Sequence, residues 1–181
     1  NNKSKGSQVA HMALTYIFNQ VEGGVMCPMS MTYSVIPALT HNEELKKEWL
    51  PRVLSKIYDD RDIPANLKKG ATIGMFMTEK QGGSDIKTNS TKAKPISSST
   101  GNGKEYHLTG HKYFCSAPMC DAFLVLGYSS GGLSCFLVPR WKPDGDRNNL
   151  FIQRLKDKLG NRSNASSEIE FISSKINVEK V

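Results

Sequence analysis

Residues 75–91 read MFMTEKQGGSDIKTNST, and the fold assigned to this chain turns on how that stretch is read. It passes from an apolar segment into Thr-Glu-Lys-Gln-Gly-Gly-Ser-Asp, then back into residues suited to a strand. Gly82 and Gly83 permit a turn through backbone conformations closed to other residues, and close approach of a ligand. Thr78, Ser84 and the free amides of such a turn are donors for a flat polar ring or a phosphate. Alone, the stretch reads as a plain loop after a strand, so its neighbours decide whether it is more.

Upstream the pattern is helical. Ser7 is placed to cap a helix whose apolar residues, Val9, Met12, Ala13, Tyr16 and Ile17, follow the spacing of an amphipathic stripe, and Gly23-Gly24 to end it. Pro28 is placed to open a second helix carrying Met29, Tyr33, Ile36 and Leu39, which Pro37 bends or stops. Asn42 caps a third, with Leu45, Trp49 and Val53 on one face, a Glu43–Lys47 pair and a kink at Pro51. Met26, Met29 and Met31 read as core filling.

Residues 58–70 break into charges, Pro64 and Gly70, which marks a connection. Strand-like runs then follow at 71–78, 85–93, 105–109, 112–116, 122–128, 133–139, 150–155 and 168–172. A low-complexity Ser/Gly loop occupies 96–103, and Gly131-Gly132 makes a hairpin turn between two almost continuously apolar strands. The expected fold class is therefore α+β: N-terminal amphipathic helices followed by an antiparallel β-barrel, with no parallel βαβ sheet. The expected division is 1–57 helical, 58–70 connection and 71–181 β domain.

The 181 residues fit one ordinary domain, or a domain and part of another; 38% hydrophobic and 23% charged residues place the chain among soluble globular proteins. No apolar run approaches the roughly 20 residues of a membrane span. Residues 1–7 are polar and lead directly into a helical pattern, so no secretory signal is read, and the chain reads as starting partway through something longer. A net charge of +7 permits a polyanion partner without requiring one. Cys27, Cys115, Cys120 and Cys135 lack zinc-type spacing and read as free thiols of an intracellular reducing compartment, cytoplasm or mitochondrion. There is no GxGxxG, Walker loop, HExxH or GxSxG, and the four histidines are scattered. Glu79 reads as a solvated or salt-bridged carboxylate in preference to a general base.

A second stretch pairs with the first. Residues 108–116, LTGHKYFCS, set Tyr113 and Phe114 beside the hydroxyl of Ser116, the company a flat redox ring needs. The alternative is a hairpin with an aromatic cross-strand pair. The chain resembles the acyl-CoA dehydrogenase superfamily of flavoproteins in three ordered motifs. Thr78 to Asp85 resembles the family's Thr-Glu-x-x-x-Gly-Ser-Asp, Gly110 to Ser116 its Gly-x-Lys-x-aromatic-x-Thr/Ser, and Lys158 to Arg162 its Lys-hydrophobic-Gly-x-Arg. The AidB-like, alkylation-response branch is closer still, through MTEKQGGSD (77–85), GGLSCFLVPR (131–140) and RLKDKLGNRSNAS (154–166). Lys80 stands where the ordinary dehydrogenases usually carry Pro.

The resemblance implies a helical N-terminal domain, a middle β-barrel and a C-terminal helical bundle, of which this chain holds the end of the first and all of the second. It implies FAD as cofactor. Carried over by position, Met77 and Thr78 meet the pyrimidine side of the ring, and Ser84 lies near a phosphate or the acyl-thioester cleft. Phe114 flanks the ring and Ser116 bonds near its N5 edge, with Met75, Gly82, Gly83 and Cys115 completing the cofactor-binding set. The implied reaction is α,β-dehydrogenation of an acyl-CoA or similar small substrate. The base belongs to the C-terminal bundle, so no catalytic residue is assigned and the chain alone is expected to be inactive. The implied alternative is a non-catalytic flavoprotein that binds DNA or sequesters acyl chains. A homo-oligomer is implied at full length.

Overall fold

The computed structural model describes residues 6–98, 104–142, 144–172 and 178–180, the last three as backbone. Among them, helices α1 (Ser7–Val21), α2 (Gly23–Leu39) and α3 (Glu43–Val53) come first. Strands follow: β1 (Ile73–Thr78), β2 (Lys92–Pro95), β3 (Glu105–Ser116), β4 (Ala122–Ser129), β5 (Gly132–Pro139), β6 (Leu150–Leu155), β7 (Ser166–Phe171) and β8 (Val178–Lys180). This is the α+β order expected. No helix among the described residues is long and apolar enough to cross a membrane.

The strands form one sheet with neighbours in the order β1-β4-β5-β8-β3-β7-β6, and β2 lies beside β3 and β4. Because β3 also pairs with β1, the strands β1, β4, β5, β8 and β3 close a ring, from which β7 and β6 extend. The pairings are antiparallel except β1–β4 and β2–β4, which are parallel because β3 intervenes in the chain before β4 is reached.

Alternate residues of β4 and β5 enter two different cores. Phe123, Val125 and Phe136 pack inside the ring with Phe76 and Leu108. Ala122, Leu124 and Leu137 pack outside it, under Leu39 of α2 and Leu45 and Trp49 of α3. Both faces are buried, which accounts for two nearly continuous apolar runs where a one-sided sheet would alternate. Each fully buried Leu or Phe contributes about 1.5–3 kcal/mol. The β4–β5 hairpin closes through Ser129 and Gly132, whose φ of 100° suits glycine.

Asn42 caps α3 as expected, accepting from the Glu44 and Leu45 amides at 3.0 and 3.1 Å. Glu43, however, pairs with Lys46 at 2.8 Å, one residue short of the expected Lys47. Gly6, not Ser7, occupies the N-cap of α1. Gly23 and Gly24 begin α2 instead of merely ending α1, because the Glu22 carboxylate accepts from the Gly24 amide at 2.7 Å and caps it. Pro28 and Pro37 both lie inside α2. The apolar stripe of α1 buries no residue: α1 meets α2 at its rim, through a His11–Tyr33 ring stack with centroids 4.6 Å apart. Of the three methionines, Met31 packs on the inner core and Met29 is exposed.

The strand expected at 85–93 does not form. The Asp85 side chain accepts from the Lys87 amide and turns residues 86–88 into a 3-10 turn, so the strand starts only at Lys92. Conversely, 105–109 and 112–116 are one strand, because Gly110 and His111 stay paired with Phe171 and Glu170. The loop expected at 96–103 lies largely outside the described residues.

Candidate functional site

The two stretches singled out from sequence are neighbours. β1 and β3 run antiparallel with Met75 opposite Ser116 and Thr78 opposite Phe114, the register shifting between the two pairs. Directly opposed residues share a face of the sheet. Ser116 is also opposite Ser166 of β7, so Met75, Ser116 and Ser166, one from the edge of each motif, stand side by side across three strands.

A second irregularity shapes β3. Successive residues of a regular strand point to opposite faces, but the β3–β7 register shifts between Lys112 and Cys115. Lys112 and Cys115 are therefore both fully buried in the ring, while Tyr113 and Phe114 lie together outside, ring centroids 6.0 Å apart. The Lys156 ammonium sits over both, 2.9 Å from the Tyr113 centroid and 4.8 Å from that of Phe114. Glu168 holds Lys156 at 2.7 Å and Arg154 as well, and those two cations bring the Glu168 carboxyl down to about 2.

The nominated residues of the outer face and of the loop after β1 are exposed to different degrees. Phe114 is 45% exposed, Met75, Met77, Thr78 and Ser116 are half-buried, and Gly83 and Ser84 are exposed. Among the described residues, no hydrogen bond occupies the Thr78, Ser84 or Ser116 hydroxyl. Gly82 and Gly83 do not take the left-handed backbone expected of them. A Cβ on Gly83 would come no closer than 3.8 Å to any atom, so the internal packing does not require glycine there. Cys115 differs from the rest of the set: its thiol lies in the interior, where burial pushes its pKa well above the ordinary thiol value. It offers a ligand only main-chain atoms.

Glu79 is the buried centre of the first motif. Its Oε1 accepts from the Thr91 amide at 2.9 Å, the Thr91 hydroxyl at 2.5 Å and Lys112 Nζ at 2.9 Å. Its Oε2 accepts from the Ser90 amide and hydroxyl, both at 2.7 Å, and from Gln81 Nε2 at 2.9 Å. Burial alone would raise this carboxyl, but the bonds from Thr91, Gln81, Ser90 and Lys112 overcome it and hold it well below the usual carboxylate range. Burial pulls Lys112 below the ordinary lysine value, against the opposing pull of Glu79. The salt-bridged reading of Glu79 holds, and a carboxylate engaged by six donors is no general base.

Gly110 makes this arrangement possible. Its φ is 155°, and a Cβ there would fall 2.5 Å from Thr91 Oγ1 and 2.8 Å from Thr91 Cα. Thr91 reaches Glu79 through that space. Sequence reading missed the pair because Lys112 looked like an ordinary strand residue and Thr91 was assigned to a strand that does not form; the one available signal was a Glu and a Lys in companion motifs.

The third motif packs elsewhere at its centre. Arg162 is exposed and donates to the Lys158 carbonyl at 2.7 Å, while the Ser163 hydroxyl donates to Glu22 at 2.7 Å. Only its end reaches the β1–β3 face: Lys158 Nζ donates to Ser166 Oγ at 3.0 Å and to the Asn164 carbonyl. All four cysteines are free.

Two families match the chain. Residues 1–60 match the family "Adaptive response protein AidB N-terminal domain", and residues 74–173 match "Acyl-CoA dehydrogenase, middle domain". AidB of Escherichia coli (strain K12) is 48% identical over 167 residues, 92% of this chain and 30% of its own length. The structure of Caenorhabditis elegans ACDH-11 in complex with C11-CoA is 30% identical, with a TM-score of 0.69 over 86% of this chain and 26% of that one. Bd2924 in its apo form, also 30% identical, superposes with a TM-score of 0.78 over 96% of this chain and 34% of that one. The chain thus spans about a third or less of each relative's length.

Proposed function

The chain belongs to the acyl-CoA dehydrogenase family of flavoproteins, and on that premise we propose that the outer face of β1 and β3 is one wall of an FAD site. The observation that carries the proposal is a set of hydroxyls that no hydrogen bond occupies: Thr78 and Ser116 on that face, beside a half-exposed Phe114, and Ser84 on the loop that follows β1. Gly83, which internal packing does not demand, favours the same reading, since it keeps the chain open to a ligand beside Gly82. These groups fit a flat heteroaromatic ring with polar edges. A Bacillus anthracis acyl-CoA dehydrogenase of the same fold is complexed with FAD.

With FAD bound, Thr78 and Met77 would border the pyrimidine side, Met75 would support it, Phe114 would cover a face, and Ser116 would donate at the N5 edge. Gly82, Gly83 and Ser84 offer amides and a hydroxyl to a phosphate or a thioester carbonyl, and Cys115 contributes main chain alone. FAD bound there supplies a hydride acceptor. The chain's own residues orient the ring and keep water from its covered face. The proposed reaction of the full-length protein is α,β-dehydrogenation of an acyl-CoA, a class of ligand that ACDH-11 binds. Residues 1–57 serve in this scheme as part of a helical domain and 71–181 as the flavin-binding domain, with the proton-abstracting base supplied from outside the chain. In an alternative role the same wall holds flavin in a protein that sequesters acyl chains or binds DNA without turnover.

The test is flavin retention. Full-length protein is expected to purify yellow, and Thr78→Val with Ser116→Ala to weaken retention. Colourless protein that takes up no added FAD overturns the proposal.

A further inference from the structure

The groups assigned to the ligand lie on two separate segments, the loop after β1 and the end of β3. Only a defined spacing between them makes one site. The Glu79 carboxylate joins the segments. It stands where the loop leaves β1, and it binds the amide and hydroxyl of both Ser90 and Thr91, where the loop returns. The loop of residues 80–90 is thereby closed at its base by a single side chain. Further bonds stiffen its body: Asn89 Nδ2 donates to the Met77 carbonyl at 2.9 Å, and the Tyr128 hydroxyl to the Lys87 carbonyl at 2.8 Å. The same Oε1 takes Lys112 Nζ, two residues before Phe114 and four before Ser116. The pair is dry, with 0% of the Lys112 and 3% of the Glu79 side chain exposed. Within the ring the donors facing this carboxylate are Thr91 from the loop's return and Lys112 from β3.

We propose that Glu79, with Lys112 and Thr91, is the positioning group of the ligand site, setting the Gly82-Gly83-Ser84 loop against the Phe114 and Ser116 segment without touching the ligand. This rests on the flavin reading for the identity of the ligand, though not for the coupling itself. Removing both charges together leaves no uncompensated charge in the ring, the costliest result of breaking such a pair. The fold therefore tolerates losing the lock, while the site does not. Gly110 belongs to the same device, because only glycine leaves room for Thr91 beside β3.

The experiment uses the full-length protein and two variants, the charge-removing pair Glu79→Gln with Lys112→Met, and the isosteric Thr91→Val. Amide exchange is followed without FAD, and FAD affinity is measured separately. In the paired variant, amides of residues 80–90 are expected to exchange about tenfold faster, a factor matching loss of a charge-assisted bond, while the β4–β5 hairpin is unchanged. FAD affinity is expected to fall by about tenfold as pre-organisation is lost, with Thr91→Val intermediate in both measurements. Unchanged exchange at 80–90 in both variants overturns the inference even if FAD binds. So does faster exchange throughout the sheet, which would make Glu79 a general core support. Wild-type protein that binds no FAD removes the flavin reading, and the exchange measurement still decides the coupling.

Discussion

Gly110 is where the demands of packing and site meet in one residue. Its φ of 155° and the closeness of Thr91 leave no space for a side chain. Gly110→Ala is therefore expected to lower unfolding free energy by about 2–3 kcal/mol, as backbone strain and overpacking add. A shift in urea midpoint at unchanged slope measures it; an unchanged midpoint would mean that Thr91 can move aside. The opposite holds at Gly83, where a Cβ meets nothing within 3.8 Å. Gly83→Ala is expected to leave the midpoint within about 0.5 kcal/mol of wild type while reducing FAD uptake. A large stability loss there would make the glycine structural after all. Cys115 lies between Phe114 and Ser116, which face outward, so strand alternation turns its side chain inward, while the bulge that decides which residues face outward is located by no sequence rule.

Elements were legible where local chemistry decides them. Asn42 announces α3 because its side chain satisfies amides two and three residues on, and Asn42→Ala is expected to cost about 1 kcal/mol, read from the thermal midpoint. No change would place the capping energy in the surrounding packing. The β4–β5 hairpin and the bounds of β6 were likewise readable from turn residues and apolar runs. Elements decided at long range were not. The parallel β1–β4 contact and the addition of β8 depend on partners remote in sequence. Periodicity gave the α1 helix but not its burial, because an apolar stripe specifies a face and not what covers it. The site divides in the same way: its hydroxyls and aromatic ring lay in quotable motifs, whereas the Glu79–Lys112 pair required knowing which face each residue takes.

Among the described residues, acidic groups that tie segments of the chain together include Glu79, Glu168 and Asp62. Asp62 is brought down to about 2 despite the opposing effect of burial, through Trp141, Arg140 and Arg147; Glu168 likewise stands at about 2 through Arg154 and Lys156. All three are lowered relative to values of 3.8 for Asp and 4.5 for Glu, so the unfolded chain binds more protons in acid. Their stabilisation is complete above the unfolded values and is lost as pH falls through the folded ones. Stability is expected to be level from neutral pH down to about 5 and to decline below about 4.5. A denaturation series across that range, with the Glu79→Gln and Lys112→Met pair showing a shallower decline, checks the sign; a series in which stability rises on acidification contradicts it. Carboxylates such as these join segments of the fold, and the hydroxyls of Thr78 and Ser116 on the β1–β3 face take no part in that work.

The most direct measurement of that account is the visible absorption of full-length protein, before and after added FAD, for wild type and for Thr78→Val with Ser116→Ala. The wild type is expected to be yellow, carrying flavin that the double variant releases on gel filtration. Wild type without flavin, or a double variant that retains it as tightly, contradicts the assignment of this face.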